Sequence, residues 1–449
     1  MSDPMRTEGL KQALYRMSPK SGQLWERAQS LYPGGEISAV RTFDPWPFYA
    51  TRGQGAYIWD IDGNRYIDCC MCYGVLLLGH RPEPVIKALS EQLARGIHYG
   101  APLPEELDFA EKFIRCVPCA ERLILCNSGN EAVHKSIAIA RAFTGRDKVA
   151  KFEGGFHGSN EYSMWSAKHF DPEQIGPEDR PNLLPEAAGF PRAAKDAMIL
   201  LPYGREKAFE IIEENASDLA VVMLEPVFGS GAFHMDIPFL GKLREVTRRN
   251  GVLLLFDEII TGFRLALGGG QELLGIIPDI GIFGKALGGG LPIGAIGTSV
   301  EIVERVINLD PPLSIAGTFS GNAMTIAAGN AILDTLMANR QIYEELAEKG
   351  DYLRSEFNAF AKARRLPGTM TGIGSMWQVY LTPNPVTKPR DRMTENLEAL
   401  RNFELMLRLE GVFIPSPLHL AFISPAHSAD DIETILAALK RSLEACFSV

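Results

Sequence analysis

Between residues 123 and 283 the chain repeats one pattern, a short apolar run followed by a stretch with helical spacing. The runs 123–126, 149–152, 220–224, 252–256 and 280–283 are short and mainly apolar, Lys151 being the one charged residue among them, and helical stretches at 131–143, 205–214 and 238–250 fall between several of them. An unbroken apolar run suits a strand whose sheet is covered on both faces, and helical crossovers provide that cover in a parallel sheet. The pattern predicts an α/β fold on a mostly parallel sheet. Helical stretches at 84–93 and 105–116 precede it. Earlier still, Gly55-Ala-Tyr-Ile-Trp-Asp60 and Asn64-Arg-Tyr-Ile-Asp68 alternate about Asp62-Gly63, which predicts a hairpin. From about Thr325 the order becomes a long helix, a strand at 375–381, a polar stretch to about Arg392, a helix to Leu409, a short strand near Phe413 and a final helix at 429–446. The expected organisation is an N-terminal segment of a smaller domain at 1–75, a large domain at 76–325, and the rest of the smaller α+β domain at 326–449.

Composition narrows what such a fold can serve. With 449 residues, 46% hydrophobic and 22% charged, the chain has material for a large core and an appended unit. A formal net charge of −10 without a concentrated basic face argues against nucleic acid. The opening Met-Ser-Asp-Pro-Met-Arg-Thr-Glu lacks an apolar signal core, and no apolar stretch reaches the roughly 18 residues of a membrane span. The cytoplasm is the expected compartment. Cys69-Cys-Met-Cys72 and Cys116-Val-Pro-Cys119 superficially suggest zinc, but 43 residues separate the pairs, against about 15–20 in common zinc modules. Free, buried thiols are the better reading, and no metal is expected.

Two residues carry the chemistry. Lys285 follows Ile280-Gly-Ile-Phe-Gly and precedes Ala-Leu-Gly-Gly-Gly290, so an amine sits among apolar neighbours where backbone can approach something bulky. Burial disfavours the ammonium form and favours a nucleophilic amine. Asp257 closes the run Val252 to Phe256. A lysine and an aspartate, each at a strand's carboxyl end, are the two protein groups that a pyridoxal phosphate site requires: one for the Schiff base, one to keep the ring nitrogen protonated. The bland alternative is a snorkelling lysine and an N-cap aspartate. Asn127-Ser-Gly-Asn-Glu131 turns from a third strand into a helix, whose first N–H groups and Ser128 hydroxyl could hold a phosphate; plain capping is the alternative. Phe152-Glu-Gly-Gly-Phe-His-Gly158 offers Phe156 to stack on a flat ring, or else a core plug. Ile259 could cover the other ring face, and Gly317-Thr-Phe-Ser-Gly-Asn322 could add phosphate donors.

These stretches, with Leu224-Glu-Pro-Val227, Phe256 to Arg264 and Trp59 to Asp68, stand in the order found in class III pyridoxal phosphate aminotransferases, and the chain resembles them from about residue 24 to the last helix. It is most similar to the branch containing glutamate-1-semialdehyde 2,1-aminomutase, through Pro33-Gly-Gly-Glu-Ile-Ser-Ala-Val-Arg41 and Gly411 to Phe422. The resemblance implies a fold-type I enzyme with Lys285 as Schiff-base lysine and Asp257 as pyridinium partner. It implies phosphate contacts from Ser128, Gly129 and Asn130, a ring sandwich of Phe156 and Ile259, and further cofactor positions at His157, Glu225 and Gly317. Thr318 would reach the phosphate of a neighbouring subunit, making the active unit a homodimer. Arg41 falls where the aminomutase holds the substrate carboxylate.

Two departures bear on activity. Asn130 stands where threonine is usual in this branch, and His419 where the aminomutase has a glutamate. The lost carboxylate points away from strict aminomutase activity. The expectation is therefore a transaminase passing an amino group from a small amino donor to a carbonyl acceptor, with an intramolecular aminomutase or a racemase as the alternative. A noncatalytic paralogue conflicts with the intact lysine and aspartate, and a nicotinamide dehydrogenase lacks its G-x-G-x-x-G.

Overall fold

The computed structural model describes residues 4–167, 171–229, 231–415 and 420–447. They form two compact units. The first comprises Met1–Pro82, Glu344–Thr387 and Thr394–Val449; the second comprises Glu83–Tyr343 and Lys388–Met393.

In the second unit a seven-stranded sheet runs in the order Arg122–Cys126, Gly294–Thr298, Ile280–Phe283, Leu253–Asp257, Leu219–Leu224, Lys148–Phe152, Met198–Leu201. The last five are parallel to one another. Gly294–Thr298 runs antiparallel to both its neighbours. The central strands are buried along their whole length, as their unbroken apolar sequences require. In the register, Asp257 lies opposite Ile282, so Asp257 and Lys285 leave the sheet at the same carboxyl rim. That rim is where open α/β sheets bind ligands. Helix Gly129–Thr144 starts there too, directly after the strand Arg122–Cys126.

The strand Gly294–Thr298 was not expected, because Gly294-Ala-Ile-Gly-Thr298 lacks a strand's β-branched density. Close packing explains its glycines. A Cβ on Gly297 would come 2.9 Å from that of Ala120, and one on Gly294 only 2.2 Å from the carbonyl oxygen of Ser128.

Taken by itself, the first unit has the hairpin Tyr57–Asp60 and Arg65–Asp68, with Gly63 at φ 93° in the turn. Val412–Phe413 adds to it in parallel, and Ala50–Gln54 completes a four-stranded sheet. Thr369–Ile373, Met376–Tyr380 and Ala421–Phe422 form a second sheet, accompanied by helices Leu397–Leu409 and Ala429–Phe447.

The unit boundaries differ from the division expected at 75/76 and 325/326. Residues 76–82 go with the first unit and 326–343 with the second. Helix Ala323–Ala338 packs on Glu83–Arg95 and Pro104–Cys116, which holds it to the second unit. Lys388–Met393 returns to the second unit through a buried ion pair. Arg390 donates from Nε and from one terminal nitrogen to the two oxygens of Glu153, at 2.8 and 2.9 Å, and also to the carbonyl of Gly176 at 2.8 Å.

Two substitutions test this packing. Arg390→Met leaves Glu153 buried without its partner and should lower the unfolding free energy by about 3–5 kcal/mol, measured by urea denaturation. Adding Glu153→Leu should recover part of that loss, the carbonyl partners remaining unpaired. Gly294→Ala must push the Ser128 turn from behind and should cost about 1–3 kcal/mol. Gly241→Ala is the control: it lies in helix Ile237–Arg249 with open space around it and should be neutral or stabilising.

Candidate functional site

The turn Asn127-Ser128 opens helix Gly129–Thr144 with reciprocal capping. The Ser128 hydroxyl accepts from the Glu131 N–H at 3.2 Å, and the Glu131 carboxylate accepts from the Asn127 backbone N–H at 2.7 Å and its side chain at 3.0 Å. Ser128 is therefore a cap, as the bland alternative required. Capping does not exclude an anion, because first-turn N–H groups lack intrahelical acceptors and the helix dipole favours negative charge there. The cradle is tight. A Cβ on Gly129 would lie 2.5 Å from Cδ1 of Ile259, so the residue expected to cover a ring face touches the expected phosphate turn.

Asn130 accounts for its own departure from threonine. Its Oδ1 accepts from the Ser159 N–H at 2.9 Å and from the Asn160 side chain at 3.4 Å, tying the helix start to the glycine loop. A carboxamide oxygen reaches one bond further than a threonine hydroxyl.

Asp257, buried at the end of its strand, accepts from His157 Nδ1 at 2.9 Å through one oxygen and from the Ile259 N–H at 3.1 Å through the other. His157 is wholly buried, and burial pulls its pKa below the usual histidine value even though the Asp257 hydrogen bond opposes this. The neutral ring then carries its proton on Nδ1, the nitrogen that faces the carboxylate. Nε2 has no hydrogen-bond partner among the described residues, and a Cβ on Gly155 would lie 2.9 Å from it. The sequence placed His157 in the matched motif but gave no sign of its partner, which lies 100 residues away.

Glu225 follows the strand Leu219–Leu224 and accepts from the N–H groups of Phe156 at 2.9 Å and Gly229 at 2.7 Å. Burial pushes its pKa up to about 8, with the charge of Asp257 in the same direction and that of Lys285 against it. Asp257, Glu225 and Lys285 thus share one electrostatic neighbourhood at the rim. Lys285 opens the 3-10 turn Lys285–Gly288 with φ 42°, a left-handed conformation rare outside glycine. Such strain costs on the order of 1–3 kcal/mol and persists where the surroundings over-determine it.

Phe156 is 38% exposed, so it is not a core plug. Gly317 and Thr318 lie on an exposed turn, where the Thr318 carbonyl accepts from His98 Nε2 at 2.7 Å. A Cβ on Gly317 would stand 3.5 Å from the Glu131 carboxylate, beside the helix start. Arg41 belongs to the other unit. It is exposed on the turn Ala39–Arg41 and lines a cavity of about 660 Å³ with Tyr32, Glu36, Phe43, Phe48 and Tyr73. The Tyr73 hydroxyl donates to the Val40 carbonyl beside it. His419 lies outside the described residues.

The donor set suits a phosphorylated pyridine: helix-start N–H groups for the dianion, a buried carboxylate that could meet the ring nitrogen, a lysine in the same electrostatic neighbourhood, and a glycine-lined cradle. Residues 38–439 match the aminotransferase class-III family model. Among known proteins, the glutamate-1-semialdehyde 2,1-aminomutase of Methanobrevibacter smithii is 38% identical over 95% of this chain and 99% of its own length. A solved ω-transaminase from Sphaerobacter thermophilus is 32% identical with a TM-score of 0.90, covering 97% of this chain and 100% of that one. A glutamate-1-semialdehyde aminomutase from Pseudomonas aeruginosa PAO1, solved in complex with PMP, is 25% identical with a TM-score of 0.88, covering 98% and 99%. Strand order, rim chemistry and these likenesses agree: the chain belongs to the class-III aminotransferase family, with the fold-type I architecture and pyridoxal 5'-phosphate as cofactor.

Proposed function

We propose that this enzyme moves an amino group within one substrate molecule, as an aminomutase acting on an amino aldehyde acid such as glutamate 1-semialdehyde. The rim cluster of Asp257, His157, Glu225 and Lys285 beside the Ser128 turn carries the cofactor chemistry. The near full-length likeness to proteins named as glutamate-1-semialdehyde aminomutases supports the intramolecular form. This reverses the order expected from His419, where transamination stood first: one changed tail position weighs less than likeness over 95% of the chain. Transamination with an external acceptor is the second reading, supported by the ω-transaminase likeness.

When bound, the cofactor supplies an electron sink for charge left on the substrate carbon next to nitrogen. The first turn at Ser128, Gly129 and Asn130 holds its phosphate through N–H donors. Asp257 keeps the proton on the ring nitrogen, and His157 aims that carboxylate by donating from Nδ1. Phe156 and Ile259 flank the ring and exclude water. Lys285 Nζ takes a proton from one carbon and returns it to another, acting as base and then acid. Arg41 holds the substrate carboxylate by a charge-assisted, bidentate pair. Thr318, exposed in the single chain, serves the phosphate of a second copy, so the working unit is a homodimer, and it works in the cytoplasm. Among the described residues no helix is long and apolar enough to cross a membrane.

The decisive assay supplies glutamate 1-semialdehyde alone. Isomerisation without added acceptor is expected; turnover only when a keto acid or aldehyde is added would establish the transaminase instead. Lys285→Ala should abolish either activity while the phosphate turn still binds cofactor, and full activity in it would overturn the whole reading. Arg41→Ala should raise KM for carboxylate substrates by at least about tenfold, the scale of roughly 1.4 kcal/mol, and leave simple amines nearly unchanged. Equal effects on both substrate types would move the carboxylate to another group, with His419 next to test.

A further inference from the structure

The strand that leads into the glycine loop carries a buried lysine that the reaction does not use. Lys151 sits in the strand Lys148–Phe152 and is wholly buried. An ammonium has three N–H donors and no acceptor, and here each finds a backbone carbonyl: Gly155 at 2.6 Å, Ser163 at 3.1 Å and Trp165 at 2.5 Å. The first of these matters most. The Gly155 carbonyl and the Phe156 N–H belong to one peptide unit, and that N–H donates to Glu225 at 2.9 Å. A single planar peptide is thus gripped at its oxygen by the buried Lys151 amine and at its hydrogen by the buried Glu225 side chain.

We infer that Lys151 is a positioning residue, which fixes the Gly155–Phe156 peptide plane and so sets the Phe156 ring and the His157 bond to Asp257. Planarity carries the constraint, because neither end of a peptide unit can turn without the other. The flanking peptides are held separately, by the Gly154 N–H on the Ser166 carbonyl at 2.8 Å and the Gly155 N–H on the Phe152 carbonyl at 3.1 Å, while Gly154 and Gly158, with φ of 84° and 82°, give the loop wide conformational freedom. Gly155 has no room for a side chain, with His157 Nε2 2.9 Å and the Phe152 carbonyl 3.2 Å from where a Cβ would sit. Burial pulls the Lys151 pKa down to about 7, while Glu186 and Glu225 raise it. The cation is therefore held at a cost that an ordinary strand residue would not incur. A methionine would fill the same volume without that cost.

The inference rests on the cofactor reading for the meaning of Phe156 and His157, but its first measurement does not need the cofactor. In Lys151→Met, hydrogen exchange of the segment 154–158, followed without cofactor, should speed up by at least about tenfold at the Phe156 amide. With cofactor added at wild-type stoichiometry, the visible circular dichroism of the bound ring should shrink. At the same time kcat should fall at least tenfold, with the KM of the amino substrate changed less than threefold. Lys151→Arg, which keeps the donors, should restore part of the dichroism. Unchanged exchange, or faster exchange with unchanged dichroism and kcat, would overturn the inference. If Lys151→Met is recovered only unfolded, Lys151→Gln, with two donors, decides between the same outcomes. Altered exchange in a protein that turns over no amine even as wild type would leave the clamp standing and sink the proposed function instead.

Discussion

The site depends on how one buried carboxylate is held where water is scarce. Asp257 ends a fully buried strand, where polar oxygens left without partners are costly. His157 and the Ile259 N–H hold its two oxygens, so each has a donor. Glu225 shows what happens without such an arrangement. It is also buried, it also accepts two N–H bonds, and it is still pushed up to about 8, partly by Asp257 itself. Of the two carboxylates in this neighbourhood, the one paired with the histidine is the one a ring nitrogen would meet.

The rest of the rim is shaped by close approach. Gly129 gives way to Ile259, Gly294 to the Ser128 carbonyl, and Gly158 to the Asn130 side chain. Each contact brings backbone or a short side chain against the helix start, so the N–H donors are presented on a wall with no freedom to swing. The strained φ of Lys285 belongs to the same design. A lysine held in the left-handed region has its backbone direction set at the turn that follows the strand. Preorganisation of this kind is what electrostatic stabilisation of a developing charge requires.

Much of this was legible from residue order because it rests on local pattern. Unbroken apolar runs announce strands buried on both faces, and the carboxyl ends of those strands announce a shared rim; Asp257 and Lys285 follow from that alone. What stayed hidden was either long-range or carried by glycine. The His157–Asp257 bond spans 100 residues and the Arg390–Glu153 pair 237. Nothing local distinguishes their members from solvated surface charges. The strand Gly294–Thr298 was missed because its glycines serve tight packing, which leaves no propensity signal. Lys151 read as one more strand residue, although its neighbours Val149, Ala150 and Phe152 are all core.

The buried titratable groups around the rim act on stability in opposite directions. Glu225 has a folded-state pKa of about 8, above its ordinary value of 4.5, so the folded chain binds the extra proton between those limits. Its contribution therefore falls as pH rises through that window. Lys151 has a folded-state pKa of about 7, below its ordinary 10.5, so there the unfolded chain binds the extra proton and stability rises with pH from about 7 upward. The two windows meet near neutrality, where this pair contributes least to the fold. At that point each group is largely in its neutral form, so the grip on the Gly155–Phe156 peptide rests on hydrogen bonds and not on a pair of full charges.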